Sequence, residues 1–428
     1  MIEKLYKIFK KSSGISIDTR TLNGKELFFC LRGANFNGNK FAEQALNKGA
    51  KYVVLDDQAF YDEKNPNQLL VEDSLKTLQH LASFHRQNLE IPIIGITGTN
   101  GKTTTKELIA AALKTQYKVF ATEGNFNNHI GVPLSLLSIN KKHQLAVIEM
   151  GANHVGEIAE LCELSQPILG ILTNIGHAHL EGFGSFENIK ETKLALYQSV
   201  KDNSGFVFVH FDDEVLMEES KHIKRMTYGM STEADVSAKL IPGKPNLEIE
   251  YKSEKISTNL FGEFNYYNVL AALAVGNYFK VSTDNMVKAL ETYHPANNRS
   301  QIEKGENNLL ILDAYNANPD SMRNAIAFFG RINAYAKSLI LGDMLELGKF
   351  EESKHREILE LISNLQFDHI FLVGNAFGNL KSEFSQFEFF QNSEDAKKHF
   401  EQFPIRSNQV LLKGSRGIRL EILKEILL

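Results

Sequence analysis

Apolar positions along the chain recur with two periods, and the two alternate. Ile93, Ile94 and Ile96 form a short β-branched run that reads as a buried strand. Leu108, Ala111, Ala112 and Leu113 follow at helical spacing. Between them, Gly98-Thr99-Asn100-Gly101 forms a tight turn, and Lys102-Thr103-Thr104 opens the helix. Two further apolar runs, 145–149 and 169–174, end in polar residues and are followed by helical patterns, which predicts a mainly parallel α/β sheet. Ahead of this region, 15–20, 26–31 and 51–55 read as strands and 41–49 as a helix. Behind it, 205–209, 247–251 and 256–260 read as strands and 269–275 as a helix. A last series of strands, 309–313, 338–341, 369–373 and 410–413, has helices between its members. The fold class is therefore α/β with three domains, expected at 1–90, 91–297 and 298–428, the first boundary falling near Glu90-Ile91-Pro92.

Composition narrows the classes. A chain of 428 residues exceeds one ordinary core, and 43% apolar content is that of a soluble globular protein. A net charge of −5 gives no global attraction for polyanions, so nucleic acid is not an expected partner. Cys30 and Cys162 are the only cysteines, too few for a disulfide framework or a metal cluster, which suits a reducing compartment. The opening MIEKLYKIFKKSSG lacks a signal-peptide core, and no run approaches the ~18 apolar residues of a membrane span, so a cytoplasmic location is expected.

Strand, glycine turn, Lys-Thr and helix together make a phosphate cradle. Backbone N–H groups at 98–103 can approach phosphate oxygens, and the helix N-terminus favours negative charge. Lys102 would reach the β- and γ-phosphates and the Thr103 hydroxyl would sit on Mg²⁺. The strict pattern G-x-x-x-x-G-K-[ST] is missed by one residue, because Ile96 stands where glycine is required and Gly95 comes one place early. Glu149 ends a buried run, where a charge is costly unless it caps, pairs or binds a hard cation such as Mg²⁺. His177 and His179 have no third ligand nearby and do not suggest zinc. Lys193 lies in a helical stretch and, on the residues alone, reads as a solvated lysine. Asn265 and Asn268 share one helical face, with Asn265 in position to cap the helix.

The string Gly-Thr-Asn-Gly-Lys-Thr-Thr at 98–104 resembles the nucleotide loop of the Mur ligase family, the ATP-dependent amide-forming enzymes of peptidoglycan synthesis. Further strings agree along all three domains. Asp18-Thr19-Arg20, followed by Leu27-Phe28-Phe29 and Gly33, resembles the family's uridine-nucleotide module, although Asn37-Gly38-Asn39 replaces its Asp-Gly-His. His179-Leu180-Glu181-Gly182-Phe183-Gly184-Ser185 resembles the pattern after the third strand. Gly262-Glu263-Phe264-Asn265 leads to Asn268, with Phe264 where the family carries histidine. Asp313-Ala314-Tyr315-Asn316-Ala317-Asn318-Pro319 is similar to the D-alanyl-D-alanine-adding branch, and the Asp-Asn-Pro-Arg of the diaminopimelate-adding branch is absent.

The resemblance implies a UDP-binding N-terminal domain, a central P-loop-type ATPase domain, and a Rossmann-like C-terminal domain that closes on ATP. No Gly-x-Gly-x-x-Gly fingerprint implies NAD there. Implied catalytic residues are Lys102, Glu149, His179 and Lys193. ATP would be held by 98–104 (Gly98, Thr99, Asn100, Gly101, Lys102, Thr103 and Thr104), with Asn268 on the adenine side and Arg299 and Asp313 contributed from the C-terminal domain. Thr103, Glu149, His179 and a carbamylated Lys193 would hold Mg²⁺, two ions in all. Asp18, Thr19, Arg20, Asn127, Asn128, Tyr315, Asn316 and Asn318 would contact the substrates, UDP-N-acetylmuramoyl-tripeptide and D-alanyl-D-alanine. A monomer is expected. Another ligase of the superfamily, such as a folylpolyglutamate synthase, and a non-catalytic nucleotide-binding module are the alternatives.

Overall fold

The computed structural model describes residues 2–296, 298–406 and 408–428. Its centre is a seven-stranded sheet in the order Val236–Ser237, Lys224–Gly229, Phe206–His210, Leu169–Leu172, Ile93–Thr97, Leu145–Glu149, Val119–Ala121. Every neighbouring pair is parallel. Strand side chains alternate between faces, and the two faces carry separate cores. Ile94, Ile96, Leu145 and Val147 pack against the helices Lys102–Lys114 and Tyr266–Tyr278. Ile93, Ala146, Ile148 and Leu172 pack against Glu157–Ser165 and Phe186–Asp202 on the other face. This alternation places Glu149 on the same face as Val147, toward the start of the helix Lys102–Lys114.

The N-terminal sheet is parallel, with Leu27–Phe29 between Ile15–Ser16 and Tyr52–Leu55 and with Gln68–Leu70 at its edge. The strand expected over 15–20 stops at Ser16. Asp18 accepts the Arg20 backbone N–H at 2.8 Å, and this local hydrogen bond turns the chain out of the sheet. The helix Ser74–Gln87 docks this sheet on the central one, His85 Nε2 lying 2.8 Å from the Ile139 carbonyl and Arg86 Nε donating to Ser165 at 2.8 Å.

Asn39, which stands where the family pattern has histidine, is fully buried and braces Asp56. Its Nδ2 donates to Asp56 Oδ1 at 2.9 Å and its Oδ1 accepts the Asp56 N–H at 3.0 Å. Burial opposes ionisation of Asp56, but hydrogen bonds from Ser74, Arg32 and Asn39 overcome it and hold the carboxyl at about 2. A depressed carboxyl contributes stability above its unfolded value and loses it as pH falls through the folded one. Asp56→Asn should therefore cost about 2 kcal/mol at pH 7 and almost nothing near pH 2. Urea denaturation at the two pH values measures this, and an equal cost at both would refute it.

In the region after 205, the strands Lys224–Gly229, Val236–Ser237 and Lys239–Ile241 were not legible in the pattern. Asn246–Tyr251 and Glu254–Phe261 form an antiparallel pair joined by Lys239–Ile241. The C-terminal sheet has the order Gln301–Lys304, Asn308–Asp313, Asn408–Lys413, Lys337–Gly342, His369–Val373, Glu388–Phe390, parallel except for its first pair. Its outer strand Gln301–Lys304 escapes the apolar pattern because charged residues mark sheet edges, and Glu388–Phe390 because it is three residues long. Among the described residues no helix is long and apolar enough to cross a membrane.

Candidate active site

Parallel strands deliver their carboxyl ends to one side of a sheet, which is where such sheets bind ligands. Register pairs Ile96 with Glu149 and Thr97 with Leu172, so the phosphate loop, Glu149 and the segment 173–179 emerge together. They border a cavity of about 1080 Å³, closed on its far side by Arg299, Asp313, Tyr315 and Asn318. Its size suits a nucleotide with part of a second substrate.

The loop needs its glycines. Gly98 has φ +144°, and a Cβ there would lie 2.0 Å from Thr173 Oγ1. Gly101 has φ +80°, and a Cβ would lie 2.4 Å from Asn268 Oδ1. The segment 173–176 clamps the turn: Thr99 N–H donates to the Asn174 carbonyl, Asn100 N–H to Asn174 Oδ1, and Thr173 Oγ1 to the Asn100 carbonyl. Thr104 lines the cavity at the start of the helix.

Two lysines converge on the loop from opposite faces of the sheet. Lys102 Nζ donates to the Gly98 and Thr99 carbonyls at 2.8 and 3.0 Å. Burial pushes its ammonium down to about 8, Arg299 adding to the effect and Glu149 opposing it. Lys193, on Phe186–Asp202, donates to the Gly98 carbonyl at 3.1 Å. It is 3% exposed, not the solvated lysine that its helical stretch suggests. Burial drives its pKa well below the ordinary lysine range, and the Lys102 charge drives it further.

Glu149 is 1% exposed and accepts Thr103 Oγ1 at 3.0 Å and Asn127 Nδ2 at 2.8 Å on Oε1. Its Oε2 has no hydrogen-bond partner among the described residues. A fully buried carboxylate oxygen that accepts no hydrogen bond, beside a hydroxyl at the mouth of the loop and with the nearest cation 3.8 Å away on Lys106 Nζ, is a donor set that suits Mg²⁺. Lys106 was not singled out in the sequence. It is fully buried, and its Nζ lies 3.8 Å from Glu149 Oε2 and 2.9 Å from Glu107. Its signal is the spacing, since 103 and 106 share one helical face.

Most of the expected contacts border the cavity, and several of their polar atoms already have protein partners. Asn128 Oδ1 is occupied by the Ile130 and Gly131 N–H groups. Asn268 accepts from Thr105 at 3.0 Å and donates to Asn265 at 2.7 Å, so it buttresses the loop. Asn265 holds the N-cap position of Tyr266–Tyr278 as expected, but its side chain makes no capping bond; its amide donates to the Phe261 carbonyl and to Ser300. His179 borders the cavity, yet its Nδ1 meets Glu346 Oε2 of the C-terminal unit. Arg299 lies over the Tyr315 ring at 3.7 Å, with Arg416 at 5.4 Å from the same ring. Asp313 is paired with Lys413 at 2.5 Å and accepts the Ser300 N–H. Asn316 accepts the Ala317 N–H. Asp18 and Arg20 pair with each other at the surface, and Thr19 bonds Gln44; none of the three borders the cavity.

The comparisons with known proteins agree over the whole length. The Mur ligase family catalytic domain matches residues 11–86, the Mur ligase middle domain 96–276, and the Mur ligase glutamate ligase domain 298–416. The chain is 36% identical to a UDP-N-acetylmuramoyl-tripeptide--D-alanyl-D-alanine ligase of Bacillus subtilis, over 97% of this chain and 93% of that one. Among solved structures it is similar to MurF from Acinetobacter baumannii, with a TM-score of 0.87, 29% identity, and coverage of 100% and 98% of the two chains. It is also similar to the MurF ligase of Thermotoga maritima in complex with ADP, with a TM-score of 0.83, 26% identity, and coverage of 98% and 97%. The chain belongs to the Mur ligase family.

Proposed function

We infer that this protein is an ATP-dependent ligase that joins D-alanyl-D-alanine to UDP-N-acetylmuramoyl-tripeptide, forming the pentapeptide precursor of peptidoglycan. The observation that carries the chemistry is the buried Thr103–Glu149 pair at the mouth of the phosphate loop, with Glu149 Oε2 accepting no hydrogen bond. The substrates rest on the relatives, which bear that name across nearly the full length of both chains.

A carboxylate is a poor acyl donor because its leaving group would be oxide. The tripeptide carboxylate therefore attacks the γ-phosphorus of ATP, forming an acyl phosphate and releasing ADP. The dipeptide amine then attacks the acyl carbon, and phosphate leaves with the bonding pair. Phosphoryl transfer of this kind depends on positioning and charge neutralisation more than on covalent help from the protein. Lys102 and Arg299 supply fixed positive charge to the triphosphate, and the amides of 98–103 orient it. Thr103 and Glu149 would hold Mg²⁺, which neutralises phosphate charge when bound. Lys193 suits carbamylation: burial favours its neutral amine, the form that adds to CO₂, and the product would bear a negative charge beside Lys102. Carbamylated Lys193 and His179 would then hold a second Mg²⁺. Closure of the C-terminal unit shields the acyl phosphate from water.

Phosphate release from ATP by the purified protein tests the reading. With UDP-N-acetylmuramoyl-tripeptide present, release should rise steeply on adding D-alanyl-D-alanine. Release that ignores the dipeptide, or that follows glutamate with a folate substrate, would overturn it.

A further inference from the structure

The C-terminal unit touches the phosphate loop through one side-chain pair whose orientation is determined by chemistry. Asn318 is the N-cap of Pro319–Arg331, and its Oδ1 accepts the Ser321 backbone N–H at 2.9 Å within a capping box. A backbone N–H can only donate, so this end of the amide is oxygen. The other end is Nδ2, and it lies 2.8 Å from Asn100 Oδ1. Because Nδ2 can only donate, Asn100 must turn its oxygen toward Asn318. The Asn100 backbone is already immobilised, its N–H donating to Asn174 Oδ1 at 2.9 Å and its carbonyl accepting Thr173 Oγ1 at 2.6 Å and Asn174 Nδ2 at 3.0 Å. What remains is the Asn100 Nδ2, which makes no hydrogen bond to another described residue, on a side chain that borders the cavity.

We propose that Asn318 is a positioning residue for the ligase reaction: docking of the C-terminal unit lets it orient the Asn100 amide so that Nδ2 donates to the bound phosphates. This rests on the nucleotide reading of the loop. Without Asn318 the terminal torsion of Asn100 has two nearly equivalent orientations, and half of them turn an oxygen toward phosphate. The neighbouring contact reinforces the docking, since Asp320 Oδ2 accepts the His177 N–H at 2.8 Å from the same helix turn. The phosphate loop thus becomes fully equipped with donors only when the far unit is seated, which couples closure to the loop's own phosphate contacts.

Asn318→Asp isolates the effect. Aspartate caps helices as well as asparagine does, so the helix keeps its start, while the donor facing Asn100 becomes an acceptor. Asn318→Ser keeps the cap and removes the donor without adding charge. Affinity for a non-hydrolysable ATP analogue is measured by calorimetry, together with kcat and melting temperature, in both variants, in Asn100→Ala and in Asn100→Ala/Asn318→Asp. The expected result for Asn318→Asp is an affinity and a kcat each about tenfold lower or more, the range of a hydrogen bond to a charged group, with a melting temperature close to the parent's. Asn100→Ala should lose a similar amount, and the double variant should lose no more than either alone, since both act through one contact. Losses that multiply in the double variant, or parent-like affinity and rate in both Asn318 variants, would overturn the proposal. If the parent bound the analogue but showed no dipeptide-dependent turnover, the ligase reading would fail, and the affinity cycle would still decide the role of Asn318.

Discussion

Glu149→Gln should lower the rate of pentapeptide formation by about a hundred- to a thousandfold, the range seen when one preorganised electrostatic contact to a reacting group is removed. The substitution preserves shape at a site that is 1% exposed, so packing is unchanged. The buried contacts survive as well. An amide oxygen can still accept Thr103 Oγ1 and Asn127 Nδ2, which lie at 3.0 and 2.8 Å from Oε1. Lys106, fully buried, loses the Glu149 charge 3.8 Å away but keeps Glu107 and the Thr122 carbonyl as partners. The change is chemical: Oε2, which accepts no hydrogen bond, becomes a neutral NH₂, which cannot coordinate a hard cation. The variant should therefore melt near the parent temperature while requiring far more Mg²⁺ for any residual turnover. Pentapeptide formation at the parent's speed would remove the foundation of the proposed mechanism.

Lys193→Ala should lower kcat by about a hundredfold or more, on the same electrostatic scale, and short carboxylic acids should restore part of the loss. The variant leaves a gap behind the Gly98 carbonyl, where Lys193 Nζ now donates at 3.1 Å. If the functional form is a carbamate, then formate or acetate entering that gap returns a carboxylate to the same place. If Lys193 acts only as an amine, alkylamines should rescue and acids should not. Stability separates these outcomes from misfolding. A lysine whose folded pKa is depressed costs stability at every pH below its unfolded value of about 10, and the cost fades above it. Removing the amine lifts that cost at neutral pH and offsets the lost methylene packing. A folded variant that no acid rescues at any concentration would refute the carbamate.

Much of the site could be read directly from residue order. The loop 98–104, the carboxylate at 149 and the polar segment after 172 are each local strings at strand ends, and a parallel sheet brings strand ends together by its own geometry. What local strings could not supply was the direction of a side chain with two plausible partners. Lys193 looks solvated on its helix, yet the helix packs across the sheet face and drives the amine under the loop. Asn128, Asn265 and Asn268 are asparagines beside a nucleotide loop, and an amide serves loop bracing as readily as ligand binding. Asp18 and Arg20 find each other two residues apart, because an exposed pair needs no ligand to satisfy it. Edge strands such as Gln301–Lys304 stayed hidden because charge protects edges and erases the apolar period.

The order of residues by itself determined the α/β alternation, the phosphate cradle and the kinship of all three domains, because each depends on neighbours within a few positions along the chain. Only the tertiary structure decided which partners each asparagine takes, which lysine loses its water, and that Asn318 meets Asn100. The reason is that these outcomes depend on hydrogen bonds and burial between residues far apart in sequence, whose partners are chosen only once the sheets are assembled.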